Sequence, residues 1–249
     1  SRHRLQKRQC VCKGQDEKID RDVELYQSLY QRFRSRSRVE QFLEENQFAN
    51  HTVIGMHIRA GNGETGDFAR KNRAILNISQ WIDNLSQRVQ TYIDETLQHH
   101  SKKPPLIYVA TDTPSVLGMM RTSPLGRSVR ILDLPDQERA KEGVLFGEWG
   151  AVLSDGSQCL RGWEHATTDM MILSQANVVI AARPSSFVQS MPHALVLDRA
   201  KRKKIGGAAA ADDDDHYAYC EMDAMASRMW CWDSFMSWCC TGDTKRILQ

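Results

Sequence analysis

Apolar positions along the chain change period at residue 52, and that change divides it. Before it, Val23, Leu25, Tyr26, Leu29, Tyr30 and Phe33 recur at three- and four-residue spacing, which predicts an amphipathic helix. A second short helix is expected from Val39 to Phe48. After it come short apolar runs separated by helical stretches. Thr52 to Ile58 reads as a buried strand that opens into a glycine-rich loop, Ala60 to Gly66. Trp81, Ile82, Leu85, Val89, Ile93 and Leu97 then repeat at helical spacing. Pro104 and Pro105 break the chain before a second strand, Leu106 to Thr111. Thr113 and Pro114 read as a helix cap and first helical position.

A third strand is expected over Val129 to Asp133, and residues 136–162 read as a long connection. A helix over His165 to Gln175, a strand over Asn177 to Ala181 and a helix over Ser185 to Leu195 follow. Strands alternating with helices predict a mostly parallel sheet with helices on both faces, an α/β fold. The expected organisation is a helical N-terminal segment, 1–51, and a Rossmann-like nucleotide-binding domain, 52–200. A low-complexity linker, 201–217, and a Cys- and Trp-rich terminal segment, 218–249, complete it. In that last segment Trp230, Trp232, Phe235 and Trp238 are expected on a helix stapled by cysteines.

Composition narrows the function classes. The 33 basic and 31 acidic side chains leave a net charge of +2, so no global field draws nucleic acid or an anionic membrane, and no nucleic-acid partner is expected. No apolar run is long enough to span a bilayer; any membrane attachment is expected through an anchor outside this chain. Seven cysteines at 10, 12, 159, 220, 231, 239 and 240 show no zinc spacing, so disulfides of an oxidising compartment are expected rather than metal ligands, with at least one thiol left over by the odd count. Three N-x-[ST] sequons at Asn50, Asn77 and Asn84 lean towards the secretory lumen and a glycoprotein, although Asn77 also reads as a helix cap. The aspartate run 212–215 follows polyalanine and reads as solvated chain, so no metal site is expected.

Ligands of open parallel sheets bind at the carboxyl ends of the strands. The polar clusters of this sequence fall there: His57 to Glu64 after the first strand, Thr111 to Thr113 after the second, and Arg183 to Ser186 after the fourth. Alternation aims His57 and Arg59 to one side of the strand end. A guanidinium there can hold two phosphate oxygens at once, and Gly61 and Gly63 allow main chain to approach a charged ligand. An ion pair between Arg59 and Asp112 joining two strand ends is the structural alternative.

The stretch VIGMHIRAGNGE, Val53 to Glu64, resembles the HxR motif of GDP-fucose-dependent α-1,6-fucosyltransferases. The match is most specific to the nodulation enzymes, which carry a similar HVRxGNGE run; the core fucosyltransferases share the motif. Ile107 to Asp112 and Asp169 to Ala176 with Ser185 and Ser186 fit the same family in order. The resemblance implies a Rossmann-like domain of a two-domain GT-B glycosyltransferase, metal-independent, with GDP-fucose as donor substrate and no cofactor. It implies Arg59 on the diphosphate, His57 beside the nucleotide, Gly61, Asn62 and Gly63 along the donor, and Asp112 near the ribose or bracing Arg59. It further implies Asp169 on guanine, and Ser185 and Ser186 on phosphate oxygens. Ala60, Gly63 and Thr113 depart from the core enzymes, which have arginine, lysine and aspartate there.

The implied reaction moves fucose with inversion to a glycan hydroxyl, in α-1,6 linkage to an N-acetylglucosamine-containing oligosaccharide or glycoprotein acceptor, in the Golgi. Arg59 stabilises the leaving phosphate, and Glu64 or Asp67 takes the acceptor proton. A protein O-fucosyltransferase and an inactive nucleotide- or carbohydrate-binding protein are the alternatives.

Overall fold

The structure, a computed structural model, describes residues 15–33, 36–60, 77–111, 113–134, 157–182, 187–206, 215–223 and 225–234. Among the described residues six strands form one sheet: β1 Thr52–Ile58, β2 Pro105–Thr111, β3 Arg130–Leu132, β4 Val178–Ala181, β5 Ala218–Met222 and β6 Met229–Trp232. They are ordered β3-β2-β1-β4-β5-β6, and every neighbouring pair is parallel except β5 and β6. This is the doubly wound order of Rossmann-type domains, in which the strand sequence reverses direction between the first and fourth strands.

Central strands carry apolar side chains on both surfaces because both surfaces are covered. Ile54, Met56 and Ile58 of β1 face one layer, with Ile107, Val109 and Ile180 beside them. Against these pack Trp81, Ile82, Leu85 and Val89 of α3, Ile78–Tyr92. Asn77 caps α3 by accepting the Gln80 amide, the capping role read from its sequence. Helices α4, Pro114–Thr122, and α5, Pro124–Ser128, complete this layer. Each fully buried Ile, Leu or Met contributes roughly 1.5–3 kcal/mol relative to an exposed one.

The opposite surface, with Val53, Leu106, Tyr108 and Val179, is covered by four helices. They are α1 Gln15–Arg32, α2 Arg36–Glu45, α6 Ser157–Leu173 and α7 Met191–Gly206. The first two therefore pack into the same core as the sheet. On α1 the inward positions are Val23, Tyr26 and Tyr30, while Leu25 and Leu29 of the expected apolar face are exposed. Gly55 lets α6 approach β1: a Cβ there would lie 2.9 Å from both the Ala176 Cβ and the Leu173 Cδ2. Arg199 of α7 fastens the turn after α6, its guanidinium donating to the Ser174 and Ala176 carbonyls at 2.7 and 2.6 Å.

Three elements, α6, α7 and β6, differ from the sequence reading. Helix α6 begins at Ser157, eight residues before His165, because Gly162 inside a helical pattern resembles a loop. Helix α7 starts at Met191, not Ser185, with Pro192 in its first turn. It continues to Gly206, so Lys201 to Lys204 are helical, and Lys203 and Lys204 complement the negative helix end. Trp230 and Trp232 lie on β6 instead of a helix; their spacing is the period of two of a strand. The cysteine staple is present as Cys220–Cys231, directly opposite each other across β5 and β6.

Candidate functional site

The reversal of strand order leaves a crevice at the carboxyl ends of β1 and β4. Two sequence-predicted residues stand there, His57 in the penultimate position of β1 and Arg59 just beyond its end. In register His57 faces Ala110 of β2 and Ala181 of β4, and its carbonyl accepts the Ala182 amide at 3.1 Å. Small neighbours on both sides leave room for the two large polar side chains. By the pleat, His57 shares a surface with Val53 and Gly55, the side covered by α6 and α7.

Both side chains are partly buried. Burial, and secondarily the Arg59 guanidinium, push the His57 pKa down to about 3, so the imidazole is neutral at physiological pH. Its Nδ1 is buried, with no hydrogen-bond partner among the described residues. The His57 ring lies against the ring of Phe187, with centroids 4.8 Å apart and planes 23° apart. No sequence signal singles out Phe187; it follows Ser186 and comes into place only when β4 and β1 pair.

Asp169 sits on α6 one turn nearer the ligand end than Leu173, and is 8% exposed. Its carboxylate accepts a hydrogen bond from the Tyr108 hydroxyl. Tyr108 is fully buried on β2, in register with Gly55 and edge-on to Phe42 at 5.6 Å. A tyrosine among Leu, Ile, Val and Ala in a central strand signals a required partner for its hydroxyl. That signal could have drawn Tyr108 into the sequence reading.

Thr113 occupies the position before α4 with Pro114 at the first helical residue, but its hydroxyl does not close the cap. Instead the Thr111 Oγ1 accepts the Thr113 amide at 3.1 Å, which tightens the turn after β2. His165 lies on α6, partly buried, in the helix and not in a loop. The predicted Gly61, Asn62, Gly63, Glu64, Asp67, Asp112, Ser185 and Ser186 lie outside the described residues. Among the described residues no group of three or more His, Cys, Asp or Glu side chains is placed to hold a metal ion.

The sequons have structural employment. Asn77 is the α3 cap, and the amide of Asn84, in the middle of α3, donates to the Met225 carbonyl at 3.1 Å. Thr52, which completes the Asn50 sequon, is 1% exposed and shares a hydrogen bond of 2.5 Å with Ser101. Among the described residues no helix is long and apolar enough to cross a membrane.

A family model described as nodulation protein Z (NodZ) matches residues 7–202. No curated protein matches the chain in sequence. A solved structure of NodZ α-1,6-fucosyltransferase soaked with GDP-fucose is 16% identical, with a TM-score of 0.46, covering 82% of this chain and 49% of that one. Fucosyltransferase NodZ from Bradyrhizobium is 17% identical at the same TM-score, covering 82% and 48%. NodZ α-1,6-fucosyltransferase co-crystallized with GDP is 16% identical with a TM-score of 0.45, covering 80% and 47%. The chain thus spans about half the length of these solved proteins.

Proposed function

The chain belongs to the NodZ family, and on that premise we propose that it is the donor-binding half of a GDP-fucose-dependent fucosyltransferase of the GT-B type. The observation that carries this reading is the pairing of His57 and Arg59 at the crevice between β1 and β4. A guanidinium in that place suits a diphosphate, which it can engage through two parallel hydrogen bonds.

In the proposed reaction an acceptor hydroxyl oxygen attacks the fucose anomeric carbon from the face opposite GDP. The bond from that carbon to the phosphate oxygen breaks, and its electron pair leaves with GDP. Negative charge grows on the phosphate, where fixed donors are worth most. Arg59, the amides of Gly61 to Gly63 and the Ser185 and Ser186 groups are assigned to that charge. This donor set needs no metal in the proposal. Glu64 or Asp67 receives the acceptor proton. Asp169 is assigned to guanine, held in place by Tyr108. The neutral His57 serves as a hydrogen-bonding group beside the nucleotide rather than as a second cation.

The acceptor we assign is an N-acetylglucosamine-containing oligosaccharide or glycoprotein, joined in α-1,6 linkage. The Cys220–Cys231 disulfide supports a proposal of an oxidising compartment, the secretory lumen, with the Golgi as its site. Asn77 and Asn84 are used inside the fold, so the sequons add no support for glycosylation. A second reading, donor binding without transfer, is motivated by Ala60 and Gly63, which stand where the core fucosyltransferases have arginine and lysine.

The test is a titration of the 249-residue chain with GDP-fucose, GDP-mannose and UDP-sugars, followed by an acceptor panel of chitin oligosaccharides, N-glycans and folded protein modules. Selective uptake of the GDP-sugars and fucosylation of a glycan are expected. Equal affinity for UDP- and GDP-sugars sinks the donor assignment. Modification of folded modules alone makes it a protein O-fucosyltransferase, and binding without turnover supports the second reading.

A further inference from the structure

Phe187 has no part in the donor chemistry set out above, yet it covers the ring of His57. It lies in the turn between β4 and α7, one residue after the Ser185 and Ser186 positions. Its backbone is held on the α7 side by two hydrogen bonds. The Ser190 hydroxyl donates to the Phe187 carbonyl at 2.6 Å, and the His193 amide donates to the Val188 carbonyl at 3.1 Å. The Phe187 side chain therefore projects from the start of α7 towards the end of β1.

The strand fixes the His57 backbone through the Ala182 amide. It does not fix the ring, because the second side-chain torsion of histidine is broad. A flat partner at 4.8 Å and 23° removes that freedom by offering a ring face in the offset geometry aromatic pairs favour. One face of the imidazole is then closed, and the plane in which its two nitrogens point is set. On one edge is Nδ1, buried and without a hydrogen-bond partner among the described residues. A buried ring nitrogen left without a bond costs stability, and sites of this kind are common where a ligand completes the bonding.

We propose that Phe187 is a positioning residue for donor binding: its ring sets the plane of His57 so that the imidazole edge meets a nucleoside diphosphate. The inference rests on the functional reading above and deepens it, by making the β4–α7 turn responsible for the orientation of a β1 side chain. The stack also dries the imidazole, and burial is the main reason that His57 stays neutral. An attraction between the Phe187 face and a protonated ring acts in the opposite direction and is the smaller effect. Arg59 is the charged group beside His57 among the described residues, and it too opposes protonation.

Phe187→Ala and Phe187→Tyr variants of the full chain decide it, with two measurements. The first is the pH titration of the His57 ring by NMR in the absence of nucleotide, assigned with His57→Gln. The second is GDP affinity by calorimetry. In the parent chain His57 should show no titration between pH 5 and 8. In Phe187→Ala water reaches the ring, its midpoint should rise by about one unit or more, and GDP should bind about two- to tenfold more weakly, the worth of one aromatic stack. Phe187→Tyr keeps the face and should restore both.

Unchanged titration and affinity in Phe187→Ala overturn the inference, as does a Tyr variant that rescues neither. If Phe187→Ala does not fold, Phe187→Leu keeps the apolar bulk without the flat face. It should still lose GDP affinity, and affinity equal to the parent's overturns the inference. A parent chain that takes up no GDP defeats the donor reading and this inference with it. GDP uptake together with an inert Phe187→Ala defeats only the latter.

Discussion

The Tyr108 hydroxyl reaches from the centre of β2 to the carboxylate of Asp169 on α6. One hydrogen bond therefore ties β2, the neighbour of β1, to the helix that enters β4. Both partners are almost wholly buried, so the bond is made away from competing water.

Breaking that bond from the tyrosine side should separate its roles. Tyr108→Phe leaves Asp169 one donor short in a dry place and should destabilise the chain by about 1–3 kcal/mol, read from urea unfolding. If Tyr108 aims Asp169 at a guanine base, GDP affinity should fall more than UDP affinity. Asp169→Asn should show the same selectivity more strongly. Equal losses for both nucleotides in both variants would remove Asp169 from base recognition and leave it a structural partner of Tyr108.

Arg59→Ala tests the diphosphate assignment most directly. Removing a fixed donor from developing charge typically costs on the order of a hundredfold in rate, so turnover should fall at least that far. Arg59 lies beyond the last residue of β1; the unfolding midpoint should therefore stay near the parent's. Arg59→Lys should recover only part of the activity, since an ammonium cannot make the paired bonds of the guanidinium. Near-parental turnover in Arg59→Ala would be incompatible with the assignment.

How far the fold and site could be read beforehand follows from the range over which each signal acts. The six buried positions of β1 and its neighbours are written as local apolar runs, so β1 to β4 were legible, and with them the place of His57 and Arg59. Helix starts were legible where a cap stood beside a period, as at Asn77. Gly162 hid the first turns of α6, and the tryptophans of β6 were ambiguous because strand pairing, not periodicity, decides so short a run. The contacts Tyr108–Asp169 and His57–Phe187 span 61 and 130 residues of chain. No local pattern encodes them; they exist only after the sheet has assembled.

Acid should weaken the fold through two histidines. Burial pushes the His193 pKa down to about 4, and burial with the Arg59 charge pushes that of His57 to about 3. In the unfolded chain both titrate near the ordinary value of about 6.5. Above that pH neither state binds the proton and the histidines are neutral in effect. As pH falls below it, the unfolded chain takes up protons that the folded chain refuses, so stability falls. Each histidine should contribute a slope of at most about 1.4 kcal/mol per pH unit, continuing to about pH 4 for His193 and about 3 for His57. Unfolding at pH 5 and 7 measures this before most carboxylates titrate. His193→Gln and His57→Gln should each flatten the difference, and a difference unaltered by both would refute the burial argument.

Among the described residues β5 and β6 make the one antiparallel pair of the sheet, and β6 forms its edge. The Cys220–Cys231 bond closes a loop of 11 residues around the turn of this hairpin. By the chain-entropy relation such a closure is worth about 2.5–3 kcal/mol against the unfolded chain. Replacing both cysteines by alanine should lower stability by about that amount, with the loss reproduced by a dithiol reductant on the parent chain. Because β6 is an edge strand, two strands beyond β4 and three from β1, GDP affinity at about 25 °C should be nearly unchanged. Amide exchange should quicken in Met229 to Trp232 and stay slow in Thr52 to Ile58. Loss of GDP binding on reduction, with the sheet still folded, would instead make the hairpin part of the donor site's support.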